Sequence, residues 1–92
     1  MARILIIEGD RATGTLVLTL AQGMNHEAEL VADPTAGLER MDDQPFDMVI
    51  SDVHMKPLNG IELLERIRAQ HPKTRVALFS GVASAGQAIG RD

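Results

Sequence analysis

Acidic and hydroxyl side chains follow three short apolar runs of the sequence. Glu8 and Asp10 follow the first run, Asp52 follows the second and Ser80 follows the third. Clustered oxygen ligands favour a hard cation such as Mg²⁺, which keeps several waters and binds one or two carboxylates. An aspartate beside such a cation is also able to attack phosphorus and form an acyl phosphate. The chemistry therefore depends on whether the fold brings these residues together.

The apolar runs predict the strands that would position these side chains. Ile4–Ile7 is a continuous apolar run, as is typical of a strand buried on both faces of a sheet, and the largely apolar segments Phe46–Ser51 and Val76–Phe79 also predict strands. Between the first two runs, apolar residues alternate with other residues from Ala28 to Ala32, which predicts a further short strand. We therefore expect four strands, with the candidate acids and the serine at their carboxyl ends.

Helical periodicity separates the predicted strands. Helices are expected from about Arg11 to Met24, from Asp33-Pro34 to shortly before Pro45, and from Gly60 to Gln70. Asp33 is a suitable N-cap and Pro34 suits the first turn. The residues predicted to face inward are Leu16, Val17, Leu20 and Met24 in the first helix, Leu38 and Met41 in the second, and Ile61, Leu64 and Ile67 in the third.

Strands that alternate with helices predict an α/β fold, a doubly wound parallel sheet with helices on both faces. Ligands of such sheets bind beyond the carboxyl ends of the strands, where the strand order reverses. For the order 2-1-3-4 this crevice lies between the first and third strands, which end at Glu8 and Asp52. Acids from distant parts of the sequence are thus expected to converge there, with Ser80 beside them.

Composition excludes several other classes of protein. The 92 residues fit one domain, and the chain has no cysteine, so disulfides and thiolate metal sites are excluded. A net charge of −4, no run of basic residues and only two aromatic residues argue against direct nucleic-acid binding. No apolar stretch approaches the roughly 18 residues of a membrane span. The expected location is therefore the cytoplasm.

Several segments together resemble the receiver domains of two-component response regulators, which have a flavodoxin-like fold. No single segment is specific, but their order and spacing are. The matching segments are Arg3–Glu8, Asp47–Asp52, Met55 with Leu58–Gly60, Glu62–Arg68 and Val76–Gly81.

The resemblance implies a role for each matching position. Asp52 is the expected phosphoacceptor, which receives phosphate from a histidine kinase or a phosphotransfer protein with the help of Mg²⁺. Glu8 matches the first acid of the metal-binding pair, and His54 lies where the family uses a backbone carbonyl as a metal ligand. Ser80 matches the hydroxyl that moves to the phosphate when the domain switches. Such a domain is not an enzyme beyond its own phosphotransfer and dephosphorylation.

The sequence departs from the family pattern at three places. Gly9 stands at the position of the second acid, for which the adjacent Asp10 is a doubtful replacement. Lys56-Pro57 replaces the usual proline and the variable residue after it, and Lys56 is a candidate for a nearby positive charge. The family's fifth strand, with its lysine, aromatic switch residue and last helix, is expected to be missing. Residues 82–92 are expected to form a loop or part of a fourth helix.

These departures keep a second hypothesis open. A receiver-like module that no longer accepts phosphate would act only through its protein-binding surface. A small flavodoxin-like ligand binder is disfavoured, since no glycine-rich phosphate loop follows the first strand. The fourth strand is apolar and would lie at an edge of the sheet, which predicts either a homodimer through this strand or a chain that is a piece of a longer protein.

Overall fold

The computed structural model describes residues 1–80, and the prediction for residues 82–92 lies outside this part. Four strands alternate with three helices in these residues. The strands are β1 (Arg3–Ile7), β2 (Glu27–Val31), β3 (Met48–Asp52) and β4 (Arg75–Phe79). The helices are α1 (Arg11–Gly23), α2 (Pro34–Asp43) and α3 (Gly60–Gln70).

The four strands form one parallel sheet in the order β2-β1-β3-β4, which confirms the predicted fold and strand order. In the register of β1 and β3, Ile7 is paired with Ser51. In the register of β3 and β4, Asp52 is paired with Phe79. The crevice where the strand order reverses therefore lies between the carboxyl ends of β1 and β3, as expected for a doubly wound sheet.

Alternate residues of the central strands contribute to two hydrophobic cores, one on each face of the sheet. Ile4 and Ile6 lie in the core beneath α1. Leu5 and Ile7 lie in the core beneath α2 and α3, together with buried residues of those helices and of β3. The members that α2, β3 and α3 contribute are Met41, Val49, Leu63 and Ile67. Both faces of β1 are thus covered, which explains its unbroken apolar sequence.

The predicted inward face of α1 is wrong for three of its four residues. Leu16, Leu20 and Met24 are 57%, 58% and 70% exposed, and of the predicted stripe only Val17 packs against the sheet. The helix instead approaches the sheet closely through a small residue, since a Cβ atom on Gly14 would lie 2.8 Å from Leu30 Cδ1. This close approach turns the larger leucines outward.

The predicted inward face is confirmed for α2 and only in part for α3, where the predicted Leu64 is half-buried. In α2, Met41 is buried and Leu38 packs against the same core. In α3 the prediction is right for Ile67 but wrong for Ile61, which is 53% exposed. Leu63, which was not predicted, takes the inward position and is fully buried. The face of α3 is therefore rotated by part of a turn from the predicted one.

The predicted N-cap of α2 is confirmed, whereas the limits of the third strand differ slightly from the prediction. The Asp33 side chain accepts a hydrogen bond from the Ala36 N–H, so the predicted N-cap of α2 is confirmed. The third strand was predicted at Phe46–Ser51, but β3 runs from Met48 to Asp52. Phe46 is nevertheless buried, because it packs into the core from the loop before the strand. The phosphoacceptor candidate is thus the last residue of a strand.

The outer edge of β4 pairs with no other strand within residues 1–80. Its apolar residues from Val76 to Phe79 are half-buried. The predicted homodimer through this strand stays a prediction. No helix in the described part of the chain is long and apolar enough to cross a membrane.

Candidate functional site

Glu8 and Asp52 lie side by side at the carboxyl ends of β1 and β3. Because Ile7 is paired with Ser51, the residues that follow them emerge at the same edge of the sheet. Both acids are buried, with 4% and 6% of their surface exposed. Burial of two neighbouring carboxylates is unfavourable for folding, so this pair indicates a functional site rather than a structural feature.

The Glu8 carboxyl group is only partly satisfied by hydrogen bonds. Its Oε2 accepts a hydrogen bond of 3.1 Å from the Asp10 N–H, whereas its Oε1 is buried and has no hydrogen-bond donor among residues 1–80. Burial raises the pKa of Glu8, the Asp10 N–H lowers it, and the negative charge of Asp52 raises it again, with a net rise. A buried oxygen without a donor is the arrangement that a bound cation would complete.

Asp52 is held by the loop that follows β3. Its Oδ1 accepts a hydrogen bond of 3.0 Å from the His54 N–H. The loop is closed by two backbone hydrogen bonds of 2.8 Å, from the Val53 N–H to the Phe79 carbonyl and from the Gly60 N–H to the Val53 carbonyl. These bonds fix the strand end, and Oδ2 takes no part in the bond to His54. The carboxylate is therefore oriented by one oxygen while the other remains for chemistry.

Asp10 is placed differently from the two buried acids. It is the N-cap of α1, where its Oδ2 accepts a hydrogen bond of 3.0 Å from the Thr13 N–H and another from the Thr13 hydroxyl. These bonds lower the pKa of Asp10. The side chain is exposed at the rim of the site. One oxygen of its carboxylate thus caps α1, and its exposed position at the rim makes it a weaker replacement for the second acid of the family.

An open cavity of about 360 Å³ lies over the acid pair. Glu8, Asp10 and Asp52 line it, and His54 and Lys56 complete its wall from the loop after β3. Among the residues that line the cavity, Lys56 is the only lysine or arginine. The cavity therefore brings a group of acids and one lysine together.

Gly9 also lines this cavity, and its backbone does not require glycine. Among the described residues no glycine has a positive φ. A Cβ atom at position 9 would lie 3.4 Å from the Ala32 carbonyl oxygen, an ordinary contact distance. The missing second acid is therefore not a consequence of the backbone.

Ser80 lies directly after β4, at the same edge of the sheet as Asp52, and it is exposed. It is not among the residues that line the cavity. The structure thus brings Glu8, Asp52 and the His54 backbone together. Ser80 lies at the same edge of the sheet but does not line the cavity. Within residues 1–80, no group of three or more His, Cys, Asp or Glu side chains has the geometry of a metal site.

Sequence reasoning missed the residues that hold the loop over the cavity. Asn59 and Glu62 form a capping box at the start of α3, in which each side chain accepts a hydrogen bond from the other residue's N–H. A Cβ atom on Gly60 would lie 2.8 Å from Val53 Cα, so only glycine lets the helix start so close to β3. The signal was the spacing of Asn59, Gly60 and Glu62 before an apolar helix.

Known proteins match both the sequence and the fold. The family model of the response regulator receiver domain matches residues 4–90. The chain belongs to this family. The response regulator protein FleR of Pseudomonas aeruginosa is 35% identical over 89 residues, which cover 96% of the chain and 19% of FleR. The chain thus spans about a fifth of the length of the curated relatives it matches.

Solved receiver structures agree with this assignment. The chemotaxis response regulator CheY4 of Vibrio cholerae is 28% identical, with a TM-score of 0.80 over 85% of this chain and 67% of CheY4. The response regulator protein TrrA of Thermotoga maritima, solved in complex with Mg(2+)-BeF, has a TM-score of 0.82 at 22% identity and shares the fold. TrrA is covered over 70% of its length and this chain over 87%. The chain is a receiver domain of two-component signalling.

Proposed function

We propose that this receiver domain accepts a phosphoryl group on Asp52 and uses the modification to change its protein contacts. The observation that carries the proposal is the burial of Glu8 and Asp52 side by side, with no hydrogen-bond donor to Oε1 of Glu8 in the described part of the chain. Two buried neighbouring carboxylates lower the free energy of unfolding, and such a cost to stability is typical of functional sites. Family membership supplies the reaction class.

The expected donor is a phosphohistidine of a kinase or phosphotransfer protein. A carboxylate oxygen of Asp52 attacks the phosphorus, an O–P bond forms and the N–P bond of the donor breaks. The leaving imidazole nitrogen keeps the electron pair of that bond and is protonated from solvent. The His54 N–H holds Oδ1 at 3.0 Å and so orients the carboxylate for attack. The domain acts as the acceptor and is not proposed to be an enzyme for other substrates.

The residues of the site fit a divalent cation. Glu8 Oε1 and the Asp52 carboxylate provide oxygen ligands, and the backbone carbonyl of His54 is proposed as a further one. Mg²⁺ would neutralise charge on the transferring phosphoryl group. Asp10 is a weaker candidate, because its Oδ2 caps α1. Water would supply the remaining ligands, as is usual for Mg²⁺.

Phosphate on Asp52 would bias an equilibrium between two states of the domain. The phosphoryl group adds negative charge and acceptor oxygens at the carboxyl end of the sheet. Ser80, which follows β4 at this edge, is the proposed donor of a hydrogen bond to them. The movement of Ser80 would shift the surface near β4 and change which partner binds. In this proposal the domain works in the cytoplasm.

The test is phosphorylation by a small phosphodonor, with Mg²⁺ or with a chelator. We expect an added phosphate by intact-mass measurement in the presence of Mg²⁺, and none in the variant Asp52→Asn. The matched control is Asp47→Asn. Asp47 directly precedes β3, at the opposite end of this strand from Asp52, and its carboxylate accepts a hydrogen bond from the Arg3 N–H. This control should be phosphorylated like the unmodified chain. An adduct that persists in Asp52→Asn would contradict the proposal.

A second candidate function is a receiver-like interaction module that takes no phosphate. It is favoured by Gly9 at the position of the second acid and by the capping role of Asp10, which together leave two buried carboxylates at the site. The same experiment separates the two functions. The absence of any Mg²⁺-dependent adduct in the unmodified chain would favour this second function.

A further inference from the structure

Lys56 is the lysine that lines the cavity over the buried acids. Among the ion pairs of residues 1–80, none involves Lys56, so its ammonium group is not committed to a carboxylate elsewhere. The side chain is exposed at the open side of the cavity. An ammonium group is thus tethered beside two acids that form no ion pair with a Lys or Arg side chain of residues 1–80.

The loop holds the Lys56 backbone over the cavity. Its two ends are joined by the hydrogen bond of 2.8 Å from the Gly60 N–H to the Val53 carbonyl. Before Lys56, Met55 packs against the core, and after it Asn59 begins the capping box of α3. The backbone at position 56 therefore has fixed neighbours on both sides. A long and flexible lysine side chain is able to reach from there toward Asp52.

The charge of the site explains what this lysine would do. A phosphoryl group on Asp52 would replace the single negative charge of its carboxylate by roughly two negative charges beside Glu8. Stabilisation by a nearby positive charge is modest at an open site and is reduced by salt, so it is best measured at low ionic strength. Before phosphorylation, the same ammonium group would repel a divalent cation that binds to the acids.

We propose that Lys56 is the cation that binds the phosphoryl oxygens on Asp52 and opposes metal binding in the unmodified state. This inference rests on the proposed function, and it assigns a role to a residue of the loop after β3. The lysine has opposite effects on the two ligands because their charges are opposite. A residue that merely shaped the loop would affect both ligands in the same direction.

The test compares Lys56→Gln with Lys73→Gln in the full chain at low ionic strength. Lys73 is the other lysine and lies just before β4, at the opposite end of the sheet. Two dissociation constants are measured by titration: that of Mg²⁺ alone, and that of beryllofluoride with saturating Mg²⁺, which stands in for the phosphoryl group. Lys56→Gln should bind Mg²⁺ about threefold more tightly and beryllofluoride about three- to tenfold more weakly. Lys73→Gln should leave both constants unchanged.

The variant Lys56→Arg keeps the charge and should restore most of the beryllofluoride affinity. The proposal is overturned if Lys56→Gln matches Lys73→Gln in both measurements, or if it weakens both ligands alike. In those cases, phosphorylation of the unmodified chain on Asp52 would still support the proposed function. A chain that binds Mg²⁺ but takes neither beryllofluoride nor phosphate would overturn both proposals.

Discussion

The acidic residues at the two ends of the sheet differ in burial and in their hydrogen-bond and ion-pair partners. At the carboxyl end, Glu8 and Asp52 are buried together, and within residues 1–80 no group donates a hydrogen bond to Oε1 of Glu8. At the amino end, Glu27 forms an ion pair of 3.0 Å with Arg3, and Asp47 accepts a hydrogen bond of 2.7 Å from the Arg3 N–H. Acidic side chains of the same sheet are thus paired at its amino end and crowded together at its carboxyl end.

This difference separates structural acids from functional ones. The amino-end acids are exposed, and surface pairs of this kind contribute roughly 0–1 kcal/mol each. The carboxyl-end acids are buried against each other, which is unfavourable for folding. A fold tolerates such a site when function requires it. Burial and missing partners, rather than the mere presence of acids, therefore point to the site.

The largest expected effect on stability comes from two glycines at opposite ends of the sheet. Gly60→Ala should lower the free energy of unfolding by about 1–3 kcal/mol, because its Cβ would lie 2.8 Å from Val53 Cα. Gly23→Ala, at the end of α1, meets nothing within 4 Å and should raise stability by about 0.5–1 kcal/mol. Urea unfolding measures both. Equal effects of the two substitutions would contradict the close approach at Gly60.

Substitutions of two glutamates test whether the buried Glu8 serves function at a cost to stability. Glu8→Gln should weaken Mg²⁺ binding by at least about tenfold, since it removes one charged ligand. The same variant should be more stable without metal by about 1 kcal/mol, because the repulsion from Asp52 is lost. The control Glu27→Gln removes an exposed acid at the amino end and should change neither quantity appreciably. A loss of stability in metal-free Glu8→Gln would show that the carboxylate is structural.

The smallest expected effect is a difference in pH dependence between Glu8 and Glu29. The pKa of Glu8 is raised in the folded protein, so its contribution is most favourable below its ordinary pKa and is lost as the pH rises through the folded value. The pKa of Glu29 is lowered, first by its hydrogen bond with Arg40, so its contribution is present above the ordinary pKa and is lost as the pH falls.

Metal-free denaturant titrations at several pH values measure this difference. The stability gained by Glu8→Gln should grow as the pH rises from about 4 toward 7, as linkage requires for a raised pKa. The stability lost in Glu29→Gln should disappear as the pH falls below about 4, and salt should reduce it. The same pH trend in both variants would contradict the contrast between the two environments.

The sequence by itself determined the order of the strands and helices, because apolar runs and helical periodicity are local patterns. It also determined which residues come to the carboxyl end of the sheet, since parallel strands all end there. Glu8 and Asp52 could therefore be paired before the structure was known. The family resemblance added the expected roles of His54 and Ser80, which remain predictions.

Only the tertiary structure decided which faces are buried and which acids are free. Leu16 and Ile61 fit a helical stripe in the sequence, yet both are exposed, because the close approach of α1 at Gly14 and the inward position of Leu63 set the rotation of each helix. The capping role of Asp10 and the unpartnered oxygen of Glu8 depend on distances between elements. Periodicity describes one element at a time, whereas burial depends on how the elements pack together.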